Sequence, residues 1–458
     1  MIRRFVKKIF NCQAAPAVQL EPAIIPVKTH GITRDMLSRG AERVCDDLER
    51  AGYRAYVVGG AVRDLLLNRD PKDFDIATNA TPEQVRRCCR RSRIIGRRFQ
   101  IVHVMVGQEL IEVTTFRALH EDASATDEHG RVLRDNTFGS QSDDAARRDF
   151  TVNALYYDPY DETIHDYHHG YADLKQRTLR MIGDPKVRYR EDPVRMLRAV
   201  RLGAKLGLSI DTATRKPIRE MADLLDNVPP ARLFDEMLKL LTCGDALACL
   251  KRLRDEGLHH GVLPLLDVIL EQPLGERFVE QALTNTDQRI REGKSISPGF
   301  LFAALLWHEV LAHWNKRKAR NEITIPALFA AMSDVLDRQA EKLAITKRLV
   351  GDIKEIWSLQ PRFEQRSGKR PYGLLGHPRF RAGYDFMLLR AQTGEIDPEL
   401  GDWWTAFQAS DAAIQESLIA GAPKDNVAPN KKRRRRSPNR RRSQNTDAGN
   451  TQQNPQGE

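Results

Sequence analysis

A chain of 458 residues exceeds one ordinary hydrophobic core and suits about three domains. Its 41% hydrophobic content fits soluble globular domains, and no apolar run approaches the ~18 residues of a membrane span, which argues against an integral membrane protein. The formal charge of +11 is lopsided: from Gly421 onward ten Lys or Arg face three Asp or Glu, so the tail supplies +7 and its natural partner is a polyanion.

Residues 1–30, with Pro16, Pro22 and Pro26 and no clear period, read as a lead-in. Met1 to Phe10 is basic and amphipathic but lacks the continuous apolar core of a signal peptide. It suits either peripheral contact with an anionic membrane surface or a disordered start. The six cysteines (Cys12, Cys45, Cys88, Cys89, Cys243, Cys249) lack metal-type spacing and fit free thiols in a reducing compartment, hence a cytoplasmic location. Arg34 to Ala51 reads as a helix, with Met36, Leu37, Ala41, Val44 and Leu48 at helical spacing.

Tyr56 to Val58 reads as a buried strand, Gly59-Gly60 as the turn out of it, and Ala61 to Leu67 as a helix. Such a turn brings backbone amides close to an anion, and Arg63 adds a fixed positive charge. After the Asn68 to Pro71 turn, Asp73 and Asp75 sit two apart on a second predicted strand and so share a face. Two carboxylates beside a phosphate site need divalent cations between them, and two-metal sites drive in-line phosphoryl chemistry. Each motif alone has a bland reading, a common turn or a solvated edge strand. Together at this spacing they point to metal-dependent nucleotidyl transfer.

The stretch resembles the nucleotidyltransferases that extend RNA 3′ ends without a template, the class of bacterial poly(A) polymerases and CCA-adding enzymes. That resemblance implies an α+β chain: a polymerase-β-like mixed-sheet head followed by all-α neck, body and tail domains. The expected divisions are a lead-in to residue 30, a catalytic head over 31–160, a helical neck over 161–260, a body and RNA-binding part over 261–420, and a disordered basic tail over 421–458. It also implies that Asp73 and Asp75 hold two Mg2+ ions.

Further along, Thr81-Pro82-Glu83-Gln84 is a strong helix start. The helix is crowded with Arg86, Arg87, Arg90 and Arg91, followed by Arg93, Arg97 and Arg98, which read either as a solvated face or as contacts to RNA phosphates or triphosphate. Ile101 to Val106 and Glu109 to Phe116 alternate like paired strands around Gly107-Gln108. Glu112, Thr114 and Phe116 share a face, which makes Glu112 a candidate third carboxylate or a plain surface charge. His103 reads as a core histidine. The acidic, Ser/Thr-rich stretch from Leu119 to Ser140 is long for an interior connection.

Arg147-Arg148-Asp149-Phe150 matches the motif that joins head to neck in this family. The resemblance implies that Asp149 helps complete the active site, that Arg147 and Arg148 meet the triphosphate, and that Asn153 lies near the sugar. A local ion pair between Arg148 and Asp149 is the structural alternative. In Tyr189 to Arg201, Asp192 can cap a helix and Pro193 fits its first turn. Leu197, Val200, Ala204 and Leu208 form one stripe, with Arg195 and Arg198 opposite. An acceptor with two forked donors can read a base edge or grip phosphate; in the family this Glu-Asp-x-x-Arg motif selects the incoming nucleotide. A surface salt-bridge ladder is the alternative. His165, His168 and His169 read as solvated.

From Pro229 to about Ala420 the chain reads as helices, without a fixed-period repeat. Trp307, Trp314, Trp357, Trp403 and Trp404 read as helix packing rather than as base-stacking platforms. Lys431, Lys432, Arg433, Arg434, Arg435 and Arg436, with Arg440, Arg441 and Arg442, form a disordered RNA-binding arm.

Three marks favour the poly(A) branch: the form of Ile95 to Val104, the segments Pro229 to Glu236 and His377 to Phe386, and the basic tail. The expectation is AMP transfer from ATP to RNA 3′ ends, with RNA-decay machinery as a partner. A CCA-adding enzyme and a non-catalytic RNA-binding protein are the other readings.

Overall fold

The computed structural model describes residues 20–96, 100–118 and 137–423. An eight-stranded sheet forms the first part of the chain. Its strands are β1 (Ala23–Pro26), β2 (Ala55–Val58), β3 (Asp75–Thr78), β4 (Ser92–Ile95), β5 (Ile101–Val106), β6 (Glu109–Thr115), β7 (Leu155–Asp158) and β8 (Thr163–Asp166), in the order β1-β8-β7-β2-β3-β6-β5-β4. Every neighbouring pair is antiparallel except β3 and β6, which run parallel. The sheet reaches beyond residues 31–160 on both sides, because β1 comes from the lead-in and pairs with β8.

One sheet face packs on the helices Arg39–Arg50 and Pro82–Cys88 through a core that includes Val44, Leu48, Val57, Ile76, Val85, Val102 and Val113. The first of these helices starts five residues later than its apolar spacing suggests. Ser38 caps it by accepting from the Ala41 amide, and Arg34–Met36 is a separate 3-10 turn. Strong caps override weak propensity at a helix start. Thr81 and Gln84 form the reciprocal capping box expected of them. On the other face Tyr56, Val58, Ala77, Phe116, Ala145 and Tyr156 make a small core. His165 leans on Tyr56 at 5.1 Å between ring centres and, like His168, is driven toward the neutral form by burial. Both are therefore half-buried packing groups rather than solvated ones.

The rest is helical apart from a two-stranded ladder, Thr178–Leu179 with Ser209–Ile210. One hydrophobic core runs from Phe150 and Val152 through the helices Val194–Leu206, Pro230–Leu241 and Pro298–Ala319 to Leu389. A smaller one joins Phe363, Phe380, Trp404 and Phe407. All five tryptophans are buried, so they pack helices as expected. Among the described residues no helix is long and apolar enough to cross a membrane.

Candidate active site

The turn after β2 is built on Gly59, whose φ of 73° is costly for any side chain and whose added Cβ would lie 3.3 Å from Arg148 Nη1. Gly60 opens the helix Gly60–Leu66. Arg63 in that helix is buried, and its guanidinium turns inward. Nε and Nη2 donate to Asp64 Oδ1 at 2.8 and 2.6 Å, and Nη1 donates to Asn153 Oδ1 at 2.6 Å. Asn153 passes the chain on, donating from Nδ2 to Asp149 Oδ1 at 3.0 Å. Asp149 Oδ2 is gripped by Arg198 on the helix Val194–Leu206. Gly59, Arg63, Asn153, Asp149 and Arg198 thus come together at one junction, from segments scattered over the sequence. Burial alone would raise the Asp149 carboxyl, but Arg198, Asn153 and the Phe150 amide outweigh it and hold it at about 2. The alternative Arg148–Asp149 ion pair gives way to Arg198–Asp149.

Asp75 is the first residue of β3, and Asp73 stands exposed just before that strand rather than on it. Asp75 lies directly opposite Glu112 on the parallel strand β6, so the two side chains share the face on which Tyr156 and Val58 lie. Burial, then the charges of Glu112 and Asp73, push the Asp75 carboxyl up to about 6 against the pull of Arg148. His103 of β5 pairs with Glu112, its Nε2 3.3 Å from Glu112 Oε1. It is therefore on the open face and not in the core, because β5 turns Val102 and Val104 inward and His103 outward. Among the described residues the trio of potential ligand atoms within 4.8 Å of one another is His259, His260 and Asp267, the last also engaged by Arg254. The carboxylate oxygens of Asp73, Asp75 and Glu112 are not gathered within that distance.

Arginines crowd the junction. Arg148 donates from Nε to Tyr156 Oη at 2.9 Å and from Nη2 to Asp144 at 3.2 Å, while Tyr156 donates to Asp144 at 2.6 Å. Burial opposes the Arg148 charge, yet Tyr156 and Asp144 raise it overall. Arg147 donates to the Ala118 carbonyl. Arg188 donates to the carbonyls of Arg147 and Arg148 at 2.7 and 2.6 Å, and burial and then Arg195 lower it to about 10. Arg195 holds Glu191 at 2.8 Å and the Arg188 carbonyl at 2.9 Å. Asp192 accepts from the Val194 amide at 3.3 Å and from Arg232 at 2.6 Å. The helix itself runs Val194–Leu206; of the expected stripe Leu197 and Val200 are buried, Ala204 is half-buried, and Leu208 is buried but lies beyond the helix end at Gly207.

Asp144, Tyr156, Arg188 and Arg232 are partners that sequence reasoning does not select, and Glu191 enters it only as the first residue of the Glu-Asp-x-x-Arg motif. Asp144–Arg148 and Glu191–Arg195 sit at i,i+4, a spacing that could have flagged them. Tyr156, Arg188 and Arg232 leave no local signal. The arm from Lys431 to Arg442 lies outside the described residues, as do Arg97 and Arg98.

Three family profiles match in chain order: "Poly A polymerase head domain" over residues 55–180, "Probable RNA and SrmB- binding site of polymerase A" over 207–270, and "Polymerase A arginine-rich C-terminus" over 320–442. The Salmonella typhimurium protein Poly(A) polymerase I is 44% identical over 459 residues, covering 96% of this chain and 98% of that one. A Bacillus licheniformis CCA-adding enzyme is 36% identical over 231 residues, covering 50% and 57%. The solved Bacillus stearothermophilus CCA-adding enzyme in complex with CTP superposes with a TM-score of 0.55 at 28% identity, covering 83% of this chain and 82% of that one.

Proposed function

The chain belongs to the poly(A) polymerase family, enzymes that add adenylate to RNA 3′ ends without a template, and on that premise we propose which of its residues perform the transfer. Asp73, Asp75 and Glu112 offer only carboxylate oxygens, the donor set that suits magnesium. The raised Asp75 carboxyl supports this, since clustered negative charge on a half-buried strand end calls for a cation. Two Mg2+ ions, when bound there, supply charge neutralisation for the attacking hydroxyl and the departing pyrophosphate.

The protein's own groups do the positioning. Arg148, beside Gly59, lies within electrostatic reach of Asp75 and offers its positive charge to the ATP triphosphate, with Arg147 as its neighbour. Arg63 acts through Asn153, fixing the latter near the sugar, and Gly60 keeps the turn narrow. Asp149 fixes Arg198, and Asp192 and Arg195 complete the base-reading set, each pre-oriented by Arg232 or Glu191. Preorganised donors of this kind lose little in reorganisation during the reaction. ATP is the substrate, RNA 3′ ends the acceptor, and the arm from Lys431 to Arg442 adds non-specific RNA affinity.

The observation that carries this reading is the in-register placement of Asp75 opposite Glu112, on the sheet face bounded by Arg148 and Tyr156. Incubating the protein with labelled RNA and each nucleoside triphosphate in turn tests it. Long A-only products are expected; a short C-C-A end on tRNA, or no product, overturns the substrate assignment.

A further inference from the structure

The sheet carries its chemistry in a lateral row. Tyr156, Val58, Asp75, Glu112, His103 and Arg93 are register partners across β7, β2, β3, β6, β5 and β4, and so face the same side. The carboxylates lie near the middle. At one end is the arginine cluster of the junction, reached through Tyr156 and Arg148. At the other is Arg93 on the edge strand β4, three interstrand spacings or roughly 14 Å from Asp75. Arg91 lies two residues before Arg93 on the same edge, its carbonyl accepting from the Met105 amide. Arg86 and Arg87 belong to the helix Pro82–Cys88 on the opposite face, and Arg90 lies on the turn between that helix and the edge.

Two properties separate this edge from the junction. The junction arginines are tied to carboxylates or carbonyls, whereas Arg91 and Arg93 are exposed and neither has an acidic partner among the described residues. Between the edge and Glu112 the sheet face is also open and partly apolar. Met105 and Leu110 face each other on one side of His103, 40% and 41% exposed, and the half-buried pair Ile95 and Ile101 lies on its other side. A polymerase site must receive two polyanions, one on each side of its carboxylates. The junction is built for the compact one, and its arginines are held in place. The edge offers unpaired forked donors behind an apolar floor, the combination that suits a single strand tracking by phosphate contact and base packing.

We propose that the open half of this face, from Glu112 across His103 to Arg91 and Arg93, is the track for the last nucleotides of the RNA acceptor. The proposal rests on the assignment of Asp75 and Glu112 to the reaction centre and adds the direction from which the acceptor arrives.

The test is the double reversal Arg91→Glu/Arg93→Glu, with Arg43→Glu/Arg50→Glu on the opposite face as a control of equal charge change. The track variant raises the KM for an unstructured oligoadenylate primer on the order of tenfold and leaves the KM for ATP in place. The log–log salt dependence of primer binding becomes shallower by about 1.4, the change expected when two phosphates of a single strand are no longer neutralised. An unchanged primer KM and salt slope, or an equal loss in the control, overturns the track. Primer affinity read by fluorescence anisotropy without ATP keeps the two readings apart. Failure of the wild-type protein to extend any RNA defeats the functional assignment, whereas retained anisotropy in the track variant defeats the track alone.

Discussion

Arg198 holds Asp149 Oδ2 with Nε at 2.8 Å and Nη2 at 2.6 Å, and that pair fastens the head sheet to the helix Val194–Leu206. With its folded-state value depressed from 3.8 to about 2, Asp149 contributes stability that is present above the unfolded value and lost as pH falls through the folded one. Asp149→Asn should therefore cost about 2 kcal/mol at neutral pH. Its deficit in Tm against the wild type should narrow between about pH 4 and pH 2. A deficit independent of acid would show that the pair is not what anchors the two parts.

Asp75 carries the opposite sign. A carboxyl raised from 3.8 to about 6 in the fold makes the magnesium-free protein less stable as pH rises through that window. Asp75→Asn should melt higher than the wild type at neutral pH without magnesium, and equally below about pH 4. Magnesium affinity of the wild type, followed by calorimetry, should weaken as pH drops through about 6, because protons compete for the same oxygens.

Asp73→Ala and Asp75→Ala should each lower AMP transfer on the order of 10⁴-fold. RNA affinity, measured by filter binding, should stay near the wild-type value. Full activity in either variant would remove the carboxylates from the reaction centre.

Gly59→Ala places a Cβ against Arg148 at a φ of 73° and ψ of −126°, a backbone conformation that L side chains disfavour by roughly 1–3 kcal/mol. Tyr156→Phe deletes the hydroxyl that links Arg148 and Asp144, leaving Asp144 short of a buried donor at about 1–3 kcal/mol. Both should raise the KM for ATP more than that for RNA in steady-state assays.

Removing residues 431–442 takes away nine positive charges. RNA affinity should fall, and the slope of log affinity against log salt should flatten. Titrations at several salt concentrations decide this, and an unchanged slope would give the arm another task.

Local features are the legible ones. The paired glycines, the Thr81 capping box and the alternation of β5 and β6 all depend on neighbours within a few residues, and spacing reveals them. What stays hidden depends on chain crossings. Asp75 meets Glu112 only because β3 and β6 run parallel with β4 and β5 folded outside them. Arg63 finds Asn153 at a separation of 90 residues, and Arg198 finds Asp149 at 49. His103 departs from the core expected of it because alternation gives two faces without saying which one is wet. Asp73 falls short of its expected strand, which begins two residues later, since an aspartate pair says nothing about where the ladder closes.

Phe150 and Val152 are rooted in the large helical core, while Arg148 and Asp149, immediately before them, serve the junction. Chemistry and anchorage thus share one short peptide. A chimera that exchanges heads between relatives by cutting just ahead of Phe150 would leave the plug with one parent and its side-chain wiring with the other. Grafts intended to move nucleotide preference have to carry residues 147–155 and the partnering helix Val194–Leu206 as a single cassette.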